Sequence, residues 1–200
     1  MLKLHYAPNT ISVAVAIGLK EAGRDFEPIK VDFAKAEQTQ EAYHAVNPKG
    51  RVPALETPQG ILTETGAILE FAAPALVPGD PFRAARMREL MYYLASTMHV
   101  AHAHKMRGSR WANEDSSFAD MRAKVPETMA ECAQYLEDTL AFVPFATGES
   151  LTAADAYLYV VLTWLEGDGV NIADFPKLAV YFAMMTTRDS VQWVKDAGML

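Results

Sequence analysis

The sequence predicts two unlike parts: an α/β unit over residues 1–77 and an all-α helical bundle over residues 83–200, joined by a linker at 78–82. Three observations predict this. Eight of the 11 prolines lie at or before residue 81. Alternation of apolar and polar residues, the signature of half-buried strands, occurs in the first part and almost nowhere after Phe82. The segment Pro78-Gly79-Asp80-Pro81 between them has the composition of a linker.

Each element has a local reason. Leu2, Leu4 and Tyr6 alternate with Lys3 and His5, which predicts a strand. Residues Ile11 to Ala22 are apolar on nearly every face, which predicts a buried helix, and Gly23 stands where a left-handed stop is expected. Ile29, Val31 and Phe33 alternate with Lys30 and Asp32, giving a second strand that should lie parallel to the first after a right-handed crossover. The polar stretch Ala34 to Val46 is compatible with a helix and ends at the turn Asn47-Pro48-Lys49-Gly50. Ala54 to Thr57 and Ile61 to Thr63 flank Pro58-Gln59-Gly60 as a hairpin, and Gly66 to Leu76 reads as a closing helix. The order β-α-β-α-β-β-α is that of a thioredoxin-like domain. Beyond Phe82 the periodicity predicts helices at Arg83 to Arg107, Phe118 to Ala141, Ala153 to Glu166, Pro176 to Thr186 and near Ser190 to Ala197. Thr152 and Asp155 have the spacing of a capping box, so Asp155 reads as structural.

Composition narrows the function. With half of its 200 residues hydrophobic and 22% charged, the chain can build a real core. Its formal charge of -7 disfavours binding to a nucleic acid backbone. Cys132 is the only cysteine, so no intrachain disulfide, cysteine zinc cluster or CxxC redox pair forms, and a reducing cytoplasm fits. The longest charge-free window, Leu4 to Leu19, is too short for a membrane helix and is interrupted by Pro8. The chain therefore reads as cytoplasmic, unprocessed and without a membrane partner.

The string NPKGRVPALETPQGILTETGAILEF, residues 47 to 71, is the most informative. Val52 precedes a proline, is biased toward an extended backbone and offers its amide and carbonyl to a peptide-like ligand. Glu64 and Thr65 stand at a helix start, where free amides and positive potential suit a carboxylate and Glu64 suits an ammonium. A ligand with a peptide-like middle and a free amino-acid end fits both. Taken singly, the same residues also read as a turn proline and a helix cap.

Together these residues closely resemble the glutathione site of the cytosolic glutathione S-transferases, and the resemblance runs over the whole chain. It implies that Val52 pairs with the cysteinyl unit of glutathione, that Pro53 is cis, and that Glu64 and Thr65 bind the γ-glutamyl end. LHYAPNTIS, residues 4 to 12, resembles the segment facing the glutathione sulfur, but Ile11 stands where bacterial beta-class members carry a cysteine. Sulfur activation then falls to Ser12, the first choice, or to Tyr6, with Thr10 and Asn9 behind. A thiol of pKa ~8.5 is ~3% ionised at pH 7, and a shift of about two units, ~2.7 kcal/mol, makes it mostly thiolate. One hydrogen bond to the charge plus a helix end suffices. His104-Lys105 resembles the beta-class pair beside the sulfur, and Lys35 matches the lysine reaching the glycyl carboxylate. His99 and His102 share a helical face, yet no third ligand accompanies them and no metal site is expected. The resemblance implies a homodimeric glutathione transferase, with glutathione as co-substrate and no other cofactor. It would add the sulfur to a small hydrophobic electrophile held near Trp111 or Trp164. Phe82, Met87, Met91 and Tyr92 are the apolar positions expected at the dimer contact. A glutathione-dependent peroxidase or dehalogenase, or a non-catalytic carrier or regulatory protein on this fold, are the alternatives.

Overall fold

The computed structural model describes residues 1–200. Strands β1 (Leu2–Tyr6), β2 (Phe26–Lys30), β3 (Ala54–Thr57) and β4 (Gly60–Thr63) form one sheet in the order β2-β1-β3-β4. β1 is parallel to β2, with Leu4 opposite Pro28, and antiparallel to β3, with Leu4 opposite Leu55. Helix α1 (Ser12–Glu21) makes the crossover and Gly23 takes φ +62, as its sequence position requires.

The first part departs from the expected strand and helices at three places. β2 is an edge strand that carries Pro28 and exposes much of its length, so it stops at Lys30 and does not continue to Phe33. Asp32 then caps a 3₁₀ turn at Phe33–Lys35, accepting from the Ala34 and Lys35 amides, while its own N–H donates to Glu37. The stretch expected as a helix over 34–46 is therefore two 3₁₀ turns and one short helix, α2 (Glu41–His44), broken at Ala36 where φ is +54. Helix α3 (Thr65–Ala72) ends before Pro74, which starts a 3₁₀ turn at Pro74–Leu76.

The second part is helical: α4 (Pro81–Tyr93), α5 (His99–Ala103), α6 (Asp115–Thr139), α7 (Ala153–Leu162), α8 (Pro176–Thr186) and α9 (Asp189–Asp196). Pro81 occupies the first helical position after an Asp80 cap, so α4 begins inside the stretch read as linker. A π turn at Leu94–Met98 separates α4 from α5 within what the sequence predicts as one helix. The capping box of α7 is formed: Asp155 accepts from the Thr152 amide at 2.7 Å and the Thr152 hydroxyl at 2.9 Å. No helix is long and apolar enough to cross a membrane.

One hydrophobic core runs through both parts, from Leu4, Val15, Leu55 and Ile68 to Met87, Met129, Leu158 and Tyr181. Helix α1 sits inside it, packed against α3, α7 and α9, with every residue from Ser12 to Leu19 buried. A side chain at Gly18 would lie 2.4 Å from Leu69, so glycine is what lets α1 and α3 meet. Met87 and Met91 belong to this core and are not available for a dimer contact, whereas Phe82 and Tyr92 are exposed.

Candidate active site

The loop Ala7–Ile11 carries β1 into α1. Its apex, Asn9, takes φ +57 and is held on both sides by the second half of the chain. The Asn9 amide donates to the Met199 carbonyl at 2.9 Å, and the Asn9 carbonyl accepts from the Trp164 indole at 3.2 Å. The positive φ is unusual for a side chain other than glycine, and these two partners hold it in place.

Ser12, the first candidate for sulfur activation, has no exposed surface. Its Oγ accepts from the Ala7 amide at 3.1 Å and lies 2.7 Å from Thr10 Oγ1 and 3.2 Å from the Ala7 carbonyl. A buried hydroxyl so occupied cannot touch a ligand, which corrects its expected role. Thr10 is only partly buried, with its Oγ1 2.8 Å from the Ala7 carbonyl. Each hydroxyl carries one proton. The Thr10 proton is held by the Ala7 carbonyl, and it reaches a ligand only by turning away from that acceptor while Ser12 donates to Thr10. Tyr6 ends β1 almost buried, at 8% exposure.

Val52 stands just before β3, and its amide and carbonyl have no main-chain partner. The Val52–Pro53 bond is cis. The preceding carbonyl, Arg51, accepts from Tyr43 Oη at 2.8 Å and Asn47 Nδ2 at 2.6 Å, which fixes how the chain enters the strand. Burial pushes the Tyr43 phenol up to about 12, so it stays a donor at neutral pH. At the head of α3, Glu64 takes φ +71 and does not cap its own helix. Its carboxylate is exposed and bound by Lys49, whose ammonium also donates to Thr63 at 2.8 Å. Thr65, beside it, is buried at the first helical position. Strain at a non-glycine residue of this kind costs of order 1–3 kcal/mol and marks places where function fixes the backbone.

The facing wall comes from α5 and the turn after α7. His102 stacks on Trp164, ring centroids 4.3 Å apart, and its Nδ1 donates to Asp168 at 2.6 Å. The Asp168 carboxylate is fully enclosed and also accepts from Lys105 at 3.2 Å, while Lys105 reaches the Gly167 carbonyl. Lys105 is thus neutralised by Asp168 and does not offer the free charge expected beside the sulfur. His104 meets Trp111 edge-on at 4.6 Å. His99 lies 5.0 Å from Trp164, and burial, then the charges of His102, Arg110 and Arg51, push its pKa down to about 4. Lys35 is largely exposed and pairs with Asp32 at 3.2 Å. Asp168, Met199, Tyr43 and Asn47 were not singled out by sequence. Their partners are set by the fold, and no spacing motif signals them.

Models of the glutathione S-transferase N-terminal and C-terminal domains match residues 1–74 and 115–183. A glutathione S-transferase of Escherichia coli O157:H7, GstA, is 31% identical over 199 residues, covering 96% of each chain. The chain belongs to the glutathione S-transferase family. Glutathione transferase activity, with glutathione as co-substrate, follows from that membership. A glutathione transferase homologue from Sulfitobacter, solved with bound glutathione, is 58% identical with TM-score 0.97, covering 100% of this chain and 99% of that one. A sphingomonad glutathione S-transferase in complex with glutathione is 32% identical with TM-score 0.84, covering 99% of both chains.

Proposed function

We propose that this glutathione transferase binds glutathione along Val52 and the head of α3, ionises its thiol at Thr10 and adds the sulfur to a small hydrophobic electrophile. The observation that carries the reading is the hydroxyl chain at the start of α1. The Ala7 amide donates to Ser12, whose Oγ lies 2.7 Å from Thr10 Oγ1, and on binding the Thr10 hydroxyl turns from the Ala7 carbonyl to donate to the thiolate. Ser12 is then a positioning residue. The start of α1 adds its positive potential.

The Val52 main chain pairs with the cysteinyl unit of glutathione in the manner of an added strand. The free amides of α3 and the Thr65 hydroxyl take the γ-glutamyl carboxylate, and Glu64 exchanges Lys49 for the ammonium. Lys35 serves the glycyl carboxylate, with His104 beside the sulfur and Trp111 and Trp164 lining the electrophile's space. The new C–S bond forms as the leaving group departs with its electron pair, and the thiol proton has already gone to solvent. The protein acts in the cytoplasm as a homodimer. Exposed Phe71 and Tyr92 support that assembly, lying on α3 and α4 near the two-pronged Arg88–Glu70 ion pair that ties these helices.

Steady-state assay with glutathione and a chloronitrobenzene, run beside an organic hydroperoxide, tests the reading. Conjugation of the aryl chloride is expected. Turnover of the peroxide alone would make the protein a peroxidase, and calorimetric binding of glutathione with neither turnover would make it a carrier.

A further inference from the structure

Although the chain carries 25 acidic against 18 basic residues, three arginines beside Val52 and after α5 have no carboxylate partner. Every ion pair in the fold involves other side chains than Arg51, Arg107 and Arg110. Arg107, just after α5, reaches across to the first half and places its guanidinium carbon 5.9 Å from the Phe33 ring centroid. Arg110 lies in the 3₁₀ turn Gly108–Arg110, and Arg51 immediately precedes Val52. Arg107 and Arg110 sit on one turn, the Arg110 amide donating to the Arg107 carbonyl at 2.9 Å, and partial burial, then the like charges of Arg51 and Arg107, push the Arg110 guanidinium below its ordinary value. Trp111, which follows Arg110 directly, meets His104 edge-on at 4.6 Å, and His99 and His102 of α5 lie 5.0 and 4.3 Å from Trp164, whose indole holds Asn9. The pair therefore borders the space assigned above to the electrophile. Trp111 and Phe33 give it flat apolar surface, Trp111 being 45% exposed.

Like charges held together without counter-charges cost free energy that an anionic ligand recovers, and a guanidinium pairs with a planar carboxylate in two parallel hydrogen bonds. Resting on the transferase reading above, we propose that Arg107 and Arg110 form an anion subsite for the acceptor. The preferred electrophiles are then aromatic or conjugated molecules bearing a carboxylate. For a chloronitrobenzoate, sulfur bonds the chlorine-bearing ring carbon, chloride leaves with the bonding pair, and the carboxylate stays on the arginines throughout.

The test compares 4-chloro-3-nitrobenzoate with 4-chloro-3-nitrobenzamide, each kcat/KM divided by the uncatalysed rate with free glutathione. The acid is expected to exceed the amide about tenfold or more, the worth of a charged hydrogen bond. That preference should fall as salt is raised. In the Arg107→Gln/Arg110→Gln double variant the preference should vanish, with the amide rate and the KM for glutathione unchanged. A wild-type preference near one, or one that survives in the double variant, overturns the subsite. So does a raised KM for glutathione with both acceptors slowed equally, which would assign the arginines to the glycyl carboxylate. Absence of conjugation with either acceptor removes the transferase reading, and this inference with it.

Discussion

Replacing Thr10 by valine keeps the side chain's shape and removes one donor. In the folded protein the cost is small. Ser12 Oγ retains the Ala7 amide at 3.1 Å and the Ala7 carbonyl at 3.2 Å, and the Ser12 amide loses only a long 3.4 Å bond to Thr10 Oγ1, so stability falls by about 1 kcal/mol. At the sulfur the cost is larger. A hydrogen bond to a charged group is worth about 1.5–3 kcal/mol and a pKa unit is 1.36, so the bound thiol should titrate about one to two units higher. For a wild-type value near 6.5, the rate at neutral pH then falls roughly three- to twenty-five-fold, while glutathione affinity barely moves. The assay is the ultraviolet absorbance of the bound thiolate against pH in wild type, Thr10→Val, Ser12→Ala and Tyr6→Phe. Ser12→Ala should shift the curve less than Thr10→Val, and should destabilise the fold by about 1–3 kcal/mol because it strands the buried Ala7 amide. An unmoved Thr10→Val curve beside a shifted Tyr6→Phe curve would refute the hydroxyl relay and hand activation to the tyrosine.

Three other perturbations follow from geometry already given. Glu64→Ala and Thr65→Ala should each weaken glutathione by about 1.5–3 kcal/mol in calorimetry, and unchanged affinity in both would remove the assigned γ-glutamyl site. Asp155→Ala strands the Thr152 amide and the Ala146 amide, bonded at 2.7 and 2.9 Å, and should cost about 2–6 kcal/mol at an unchanged denaturant m-value. A loss under about 1 kcal/mol would contradict the buried cap. At Glu21, burial alone would raise the carboxyl. Hydrogen bonds from Arg188 and Ser190 and the Arg188 charge outweigh it and hold the group below its ordinary 4.5. A depressed folded pKa means stability that is fully present above pH 4.5 and lost as pH falls through the lower folded value. Urea unfolding across acid pH should show that loss in wild type and less of it in Glu21→Gln; equal slopes would sink the assignment.

The parts legible in the sequence are those whose stability comes from periodic burial. β1, α1 and the β3–β4 hairpin each present a run of residues that only one packing satisfies. Residues 31–46 were misread because their conformation rests on single polar contacts, Asp32 capping a turn and Glu37 bonding back to it, which periodicity does not register. The candidate glutathione residues are legible as a pattern of types, but their division of labour is not. A hydroxyl at a helix start is written identically whether it points inward, as Ser12 does, or outward, and only the fold separates it from Thr10. Asp168 was invisible for another reason, since it acts through His102 and Lys105 on a helix far away in sequence.

The two bonds on Asn9 bear on the order in which a ribosome makes this protein. The loop Ala7–Ile11 is synthesised more than 150 residues before the first of the groups that fix it, Trp164, and Met199 comes later still. A nascent chain that has already paired β1 with β2 and β3 still lacks the anchors that set Asn9, and with them the position of Thr10. On the proposed reading, competence to ionise a thiol is thus withheld until the helices have arrived, and a product cut short before Met199 leaves the Asn9 amide unclaimed.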